Sequence, residues 1–354
     1  MIKKNRIPFI LLAFICLIVG LGAGLTRMGW QSLIPNTAPH HGAIMIGGFL
    51  GTLISLEKII PLKRKFLFII PALSALSIVC FVTNFVVYGY ICLLAASTGL
   101  SIVFLLYLLK EKNATYLLMF AGAQCWLIGN IKLLTTLFYP AAIPWWMAFA
   151  LLVITSERLE LMKFLPVTRT NKIVFYVAVS TFLIGCGISF HGPGSIVAGA
   201  ALIVISIWLL RYDLVGITIK KRGLTRYVGW TLMSGYFALM MTGLFLLIFD
   251  AEPYAYDLLI HVFFIGFVFS MIFAHGPIIL PGVLGISTKP YTSLFYLWAA
   301  TLTVSIIFRI SGSIVYDDEI KKYSGLMSAF SILSYFITLA TVTFIIRKRD
   351  ARIP

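Results

Sequence analysis

Residues 39–49 read PHHGAIMIGGF: two adjacent histidines, His40 and His41, in a chain of 354 residues with five histidines in all, stand where an apolar run opens. The run continues from about residue 40 to 60 and meets no charge before Glu57 and Lys58. About 20 residues at 1.5 Å of helical rise per residue span the roughly 30 Å hydrocarbon core of a bilayer. The rest of the chain repeats this pattern. With 60% hydrophobic and 11% charged residues, and a mean hydropathy of +1.01, it has too little polar surface to cover a water-soluble fold.

Twelve such runs can be counted, at about 7–26, 40–60, 66–84, 86–109, 114–138, 141–157, 172–190, 194–211, 225–249, 256–280, 291–312 and 323–346. The fold class predicted is an all-α integral membrane protein of about 12 transmembrane helices, a single polytopic domain over 1–354 with no soluble domain. The first run is read as an anchor, since no small-x-small cleavage site follows Leu21-Gly22-Ala23-Gly24-Leu25. A net charge of +16 would suit a nucleic-acid partner if it formed a patch. Instead the basic residues fall in short clusters between apolar runs, so the expected partner is the lipid bilayer and not nucleic acid.

Those clusters set the orientation. With a cytoplasmic amino terminus, one side collects Lys3, Lys4 and Arg6, then Lys58, Lys63, Arg64 and Lys65, then Lys110 and Lys112. It continues with Arg158, Lys163, Arg169 and Lys172, with Arg211, Lys220, Lys221, Arg222 and Arg226, with Lys289, and with Arg347, Lys348, Arg349 and Arg352. Only five of the 28 basic residues lie elsewhere, and the ninth connection is acidic, with Asp250, Glu252 and Asp257. The positive-inside rule therefore predicts a multi-pass protein of a bacterial-type cytoplasmic (inner) membrane with both termini cytoplasmic.

Of the five exceptions, Lys321 and Lys322 follow Asp317-Asp318-Glu319, which neutralise them locally. Arg27, Lys132 and Arg309 remain at outer helix ends, where each either snorkels to headgroups or pairs with an anionic group. Trp145 and Trp146 read as part of an interfacial aromatic belt. The five cysteines, Cys16, Cys80, Cys92, Cys125 and Cys186, lie within the runs without CxxC spacing and read as buried small hydrophobes.

In this topology His40 and His41 open the second helix at the outer level, and His261 lies at a similar depth in the tenth. His191 falls in the turn His191-Gly192-Pro193-Gly194 and reads as a solvated loop residue. His275 follows His261 by 14 residues. At about 100° and 1.5 Å per residue, the two share a face about 21 Å apart. An imidazole among apolar residues needs a partner, and within LLIHVFFIGFVFSMIFAHGPIILPG His261 has no polar neighbour at helical spacing except His275, which makes it a candidate ligand. At the inner level, Glu57 ends the second helix, Glu157 and Arg158 end the sixth, and His275 lies level with both. A histidine beside a carboxylate can pass a proton in step with an electron, so this constellation is a candidate proton or quinone site. The simpler alternatives are a salt-bridge lattice for the acidic pairs, and for His275 the carbonyls exposed by Pro277 and Pro281.

The run His41-Gly42-Ala43-Ile44-Met45-Ile46, followed by Gly47-Gly48-Phe49, resembles the second helix of subunit I of the haem-copper oxidases. The whole chain more closely resembles the NnrS family of polytopic haem- and copper-containing proteins linked to nitric oxide stress. HGAIMIGGFLGTLISLEK, ITSERLEL and LIHVFFIGFVFSMIFAHGPIILPGVLG carry that likeness. The resemblance implies a haem-copper-oxidase-subunit-I-like bundle and a b-type haem ligated axially by His41 and His261, with His40 in reserve and His275 as an inner-side candidate. Arg27, Lys132 and Arg309 would pair with its propionates, and a quinone or a redox partner protein would exchange electrons with it. The departures limit the likeness. The sixth and seventh helices carry no histidine, so copper stays open as a cofactor but without its usual ligands, and a complete oxygen-reducing centre is not expected. A reading from a different class is a transporter or channel for a small solute or metal, lined by His41, His261 and His275. No catalytic residue is assigned, and enzyme, sensor and carrier roles stay open.

Overall fold

The computed structural model describes residues 4–32, 34–249, 253–286 and 288–350. Of the residues read above, Lys3, Asp250, Glu252 and Arg352 lie outside the described residues. No strand occurs among the described residues. Among the described residues twelve helices are long and apolar enough to cross a membrane: α1 Ile7–Arg27, α2 Ala43–Leu62, α3 Lys65–Val82, α4 Val86–Lys110, α5 Ala114–Thr136 and α6 Tyr139–Leu161 are the first six. They are followed by α7 Arg169–Ile188, α8 Pro193–Tyr212, α9 Gly223–Ile248, α10 Ala255–Leu284, α11 Leu294–Ile314 and α12 Asp318–Ile346. The protein is thus all-helical and of a multi-pass membrane type.

The predicted runs fall on these helices. The largest differences at a single end are at α12, which begins at Asp318, at α6, predicted as 141–157 and observed over 23 residues, and at α10, predicted to end at 280 and running on to Leu284. Pro144 sits inside α6, but near its start, where a missing donor interrupts little of the ladder. The share of buried positions is highest in α2, α6 and α10, at 67%, 72% and 67% of their most apolar windows. Every fourth span is therefore a core helix.

The chain divides into two compact units. Unit 1 is residues 1–156 with 279–287, and unit 2 is residues 157–278 with 288–354.

In unit 1, α2 packs against α1 and α3, and α4 lies against α3 and α5. The first part of α2, Ala43–Gly51, is a π-helix. Widening the turn spoils the i to i−4 register, so carbonyls need other donors. They find hydroxyls: Ser74 donates to the Gly47 carbonyl at 2.8 Å, Thr52 to Gly48 at 2.6 Å, and Ser55 to Gly51. Trp146, read as interfacial, is instead fully buried. Its indole N–H donates to Asn130 Oδ1 at 3.1 Å, and Asn130 donates to the Leu93 carbonyl at 3.1 Å. A buried indole is tolerated where its one polar atom has a partner.

In unit 2, α7 packs on α8, α8 on α9, α9 on α10, and α11 on α12. The α8–α9 contact is close because two glycines face each other. A Cβ on Gly199 would meet the Gly243 carbonyl at 2.7 Å, and a Cβ on Gly243 would meet the Gly199 carbonyl at the same distance. Such backbone contact is the usual use of small residues between membrane helices. A second π-helix, Val262–Phe269, interrupts α10 directly after His261. Further along, Pro277 has no N–H for the Phe273 carbonyl one turn earlier. Tyr335 and Tyr227 supply hydroxyls instead, at 2.7 and 3.2 Å, and the Tyr335 ring stacks on Phe273 with centroids 3.9 Å apart. The carbonyl freed by this proline is therefore taken by tyrosines and not by His275.

Candidate functional site

In unit 1, His41 is oriented across a helix contact. Its Nδ1–H donates to the Gly20 carbonyl of α1 at 2.7 Å. Because a carbonyl only accepts, this bond puts the proton on Nδ1 and makes Nε2 the nitrogen with the lone pair. Gly24, one turn further along α1, leaves room for the ring: a Cβ there would come within 2.8 Å of His41 Cε1.

The neighbouring His40 is held differently. Its Nδ1 is hydrogen-bonded to the hydroxyls of Tyr139 at 3.1 Å and Tyr90 at 3.2 Å, and these hydroxyls lie 3.3 Å apart. The ring also stacks on Phe81, with centroids 5.2 Å apart. This aromatic cage accounts for His40 without a metal or haem.

Burial pushes the His40 pKa below its ordinary value of 6.5. As pH falls through 6.5, the unfolded chain takes up a proton that folded His40 resists, so stability is intact above that pH and declines below it. The unfolding midpoint of the detergent-solubilised protein is expected to drop between about pH 7 and about pH 5, and the drop to shrink in His40→Gln. An equal drop in both proteins would remove His40 from the cause.

In unit 2, His261 donates Nδ1–H to the Asp257 carbonyl four residues earlier, at 2.7 Å. It also faces the Asp257 carboxylate, with Nδ1 3.1 Å from Oδ1. Here too Nε2 is left as the lone-pair nitrogen of the neutral ring. Arg309, buried at 2% side-chain exposure, places Nη1 2.7 Å from Asp257 Oδ2. Its carboxylate partner is thus Asp257, a residue read from the sequence only as loop charge. The signal was present, since an acid at i−4 on a helix lies on the same face as its histidine. The other propionate candidates, Arg27 and Lys132, are exposed at their helix ends.

The most enclosed polar cluster is also in unit 2. Arg158, near the end of α6, grips Asp213 with a two-pronged contact, Nε to Oδ2 at 3.0 Å and Nη2 to Oδ1 at 2.9 Å. Asp213 also accepts from the Tyr236 hydroxyl and from the Leu214 backbone N–H at 2.6 Å. The third Arg158 nitrogen, Nη1, donates to His275 Nε2 at 2.8 Å, and His275 Nδ1–H donates to the Met271 carbonyl at 2.7 Å. Arg158 and Asp213 are 3% and 5% exposed, and Tyr236 is fully buried.

His275 is therefore partnered by a guanidinium and a carbonyl, where the sequence pointed to the carboxylates of Glu57 or Glu157. Glu57 lies in unit 1, where Oε1 sits 2.9 Å from the Nζ of Lys58. Glu157 is half-buried beside Arg158. With Nε2 facing a guanidinium, His275 gains a proton only by giving up that bond. The cluster consequently holds one cation, one anion and a neutral imidazole, a charge-balanced clamp joining α6, α8, α9 and α10. Asp213 and Tyr236 were not singled out from the sequence: the first caps α8 in a basic connection, and the second reads as one aromatic among many.

The remaining predicted residues fall apart from these clusters. His191 is exposed and faces the Tyr256 ring at 5.3 Å. Lys321 and Lys322 pair with Asp318 and Glu319, at 2.8 and 3.6 Å. Among the described residues no group of three or more His, Cys, Asp or Glu side chains is placed to hold a metal ion.

Twelve apolar helices define a multi-pass membrane protein, with histidines fixed at the mouths of two π-helices and a buried ion-pair cluster in unit 2. The chain belongs to the family described as a domain of unknown function (DUF8744), whose pattern matches residues 6–344. No curated protein and no solved structure matches it.

Proposed function

We propose that the chain is a haem-binding membrane protein of NnrS-like type, built on a haem-copper-oxidase-subunit-I-like bundle, in which His41 and His261 are the axial ligands of one b-type haem. It serves electron transfer or the response to nitric oxide and redox stress, without a complete oxygen-reducing centre. One observation carries the proposal. His41 and His261 each introduce a π-helix, and each fixes its tautomer by a 2.7 Å bond from Nδ1 to a main-chain carbonyl. Metal-ligating histidines are oriented by such bonds, which also raise the basicity of Nε2. π-helical turns are rare and concentrate at functional positions.

Each imidazole, taken by itself, has Nδ1 engaged by a carbonyl and Nε2 as the nitrogen that would bind iron. A haem held by them would supply one-electron redox chemistry. Of the propionate candidates, Arg27 and Lys132 fit best, since Arg309 already carries Asp257. Copper has no histidine ligands on α6 or α7, and it is not part of the proposal. A pyridine haemochrome measurement on protein purified from haem-replete membranes is expected to give one haem per chain. No haem would overturn the proposal, and two would overturn the ligand set.

A bacterial-type cytoplasmic membrane with both termini inside is proposed with it, supported by the sidedness of the basic clusters. Reporter fusions are expected to be cytoplasmic when placed after Arg169 and external when placed after His191. The reverse pattern would invert the topology. A quinone or a redox protein would be the electron partner.

A further inference from the structure

Unit 2 carries a groove of about 550 Å³ between the first half of α9 and α11. One wall is Arg222, the extended residue that precedes α9, with Arg226, Trp230 and Ser234 on the helix itself. The three helical residues are spaced by four, so they form one stripe about 12 Å long on a single helix face, with Arg222 at its amino-terminal end. The stripe grades from two cations, through an indole 43% exposed, to a hydroxyl. On the facing wall Tyr291 and Tyr296 stand at the charged end, and the small side chains of Ala299 and Ala300 keep the middle open. The far end closes where the Ser234 and Thr303 hydroxyls meet at 3.1 Å.

Two features of this groove call for an anion with an apolar tail. Arg222 and Arg226 bring two like charges to one end of the groove, where they repel one another, and a shared anion relieves the repulsion. Among the described residues no carboxylate forms an ion pair with either Arg222 or Arg226. The apolar stretch below them matches the depth of one leaflet, about half of a ~30 Å hydrocarbon core. Basic hollows between membrane helices, with aromatic residues at headgroup level, suit acidic lipid headgroups.

We propose that this groove binds one anionic phospholipid, its phosphate between Arg222 and Arg226 and one acyl chain running past Trp230 and over Ala299 and Ala300. The site is independent of the haem reading and requires only that the helices cross a bilayer.

Native mass spectrometry of the detergent-solubilised full chain, titrated separately with phosphatidylglycerol, phosphatidylcholine and inorganic phosphate, tests it. One phosphatidylglycerol is expected to be retained in preference to phosphatidylcholine. The double variant Arg222→Gln/Arg226→Gln is expected to lose about 30-fold in phosphatidylglycerol affinity at low salt, roughly fivefold per arginine, with phosphatidylcholine binding unchanged. Ala300→Phe, which fills the groove and keeps both arginines, is expected to weaken phosphatidylglycerol binding as well. Equal retention of the two lipids, or phosphatidylglycerol binding untouched in the double variant, would overturn the proposal. It would also be overturned if inorganic phosphate displaced the lipid at equal concentration, or if Ala300→Phe had no effect. Either of those results would mark a site for a free anion.

Discussion

Arg158→Met is expected to lower the stability of the folded protein by about 3–5 kcal/mol, the range for removing one partner of a buried ion pair. The cost arises from what the substitution leaves behind. Asp213 is 5% exposed and faces the Tyr236 hydroxyl and the Leu214 N–H; without the guanidinium its charge is buried with no counterion, and His275 Nε2 loses the donor it now has. Adding Asp213→Asn should recover most of the loss, because the amide keeps an acceptor for Tyr236 while removing the stranded charge. The check is the denaturant midpoint of the detergent-solubilised single and double variants. A single variant as stable as wild type, or a double variant no better than the single, would show that charge balance is not what the cluster supplies.

The second large effect is expected at the histidines that introduce the π-helices. If His41 and His261 hold a haem as proposed, replacing either by alanine removes a nitrogen that would bind the iron. The adjacent His40 is held by Tyr90 and Tyr139 and stacked on Phe81, so it would have to leave a satisfied aromatic cage to take over from His41. His41→Ala and His261→Ala are therefore each expected to abolish or shift haem absorption, while His275→Ala leaves it intact. His275 serves the Arg158 clamp, and its loss should appear in stability. A spectrum changed by His275→Ala and by neither of the others would move the haem to the far end of α10.

Most of the fold was readable because a bilayer imposes one strong requirement, about 20 apolar residues per crossing. All twelve spans answer to it. The boundary missed at α6 has a physical cause: Glu157 and Arg158 look like the end of an apolar run, yet the helix continues because Asp213 neutralises the arginine inside the protein. The π-helices left no mark in composition, since a slipped register uses the same apolar residues as an α-helix; the visible hint was the Ser and Thr hydroxyls that serve the displaced carbonyls of α2.

The candidate sites were legible where one residue type is scarce. His40, His41, His261 and His275 could be singled out, and Arg158 and Arg309 stood out as charges within or at the ends of apolar helices. Their partners could not be read. Asp213 is brought to Arg158 from 55 residues away in sequence, and only tertiary packing makes that pairing. Asp257 was within reach of sequence reasoning, one helical turn before His261, but it was read as part of an acidic connection. Trp146 looked interfacial by its position and is buried because Asn130 supplies an acceptor for its indole.

The absorption spectrum in the Soret region, recorded for the full chain purified from haem-replete membranes beside His41→Ala and His261→Ala, tests the haem assignment most directly. The expected result is a Soret band in the wild-type protein that is lost or shifted in both variants. A wild-type protein without the band, or a band that neither substitution alters, would contradict it.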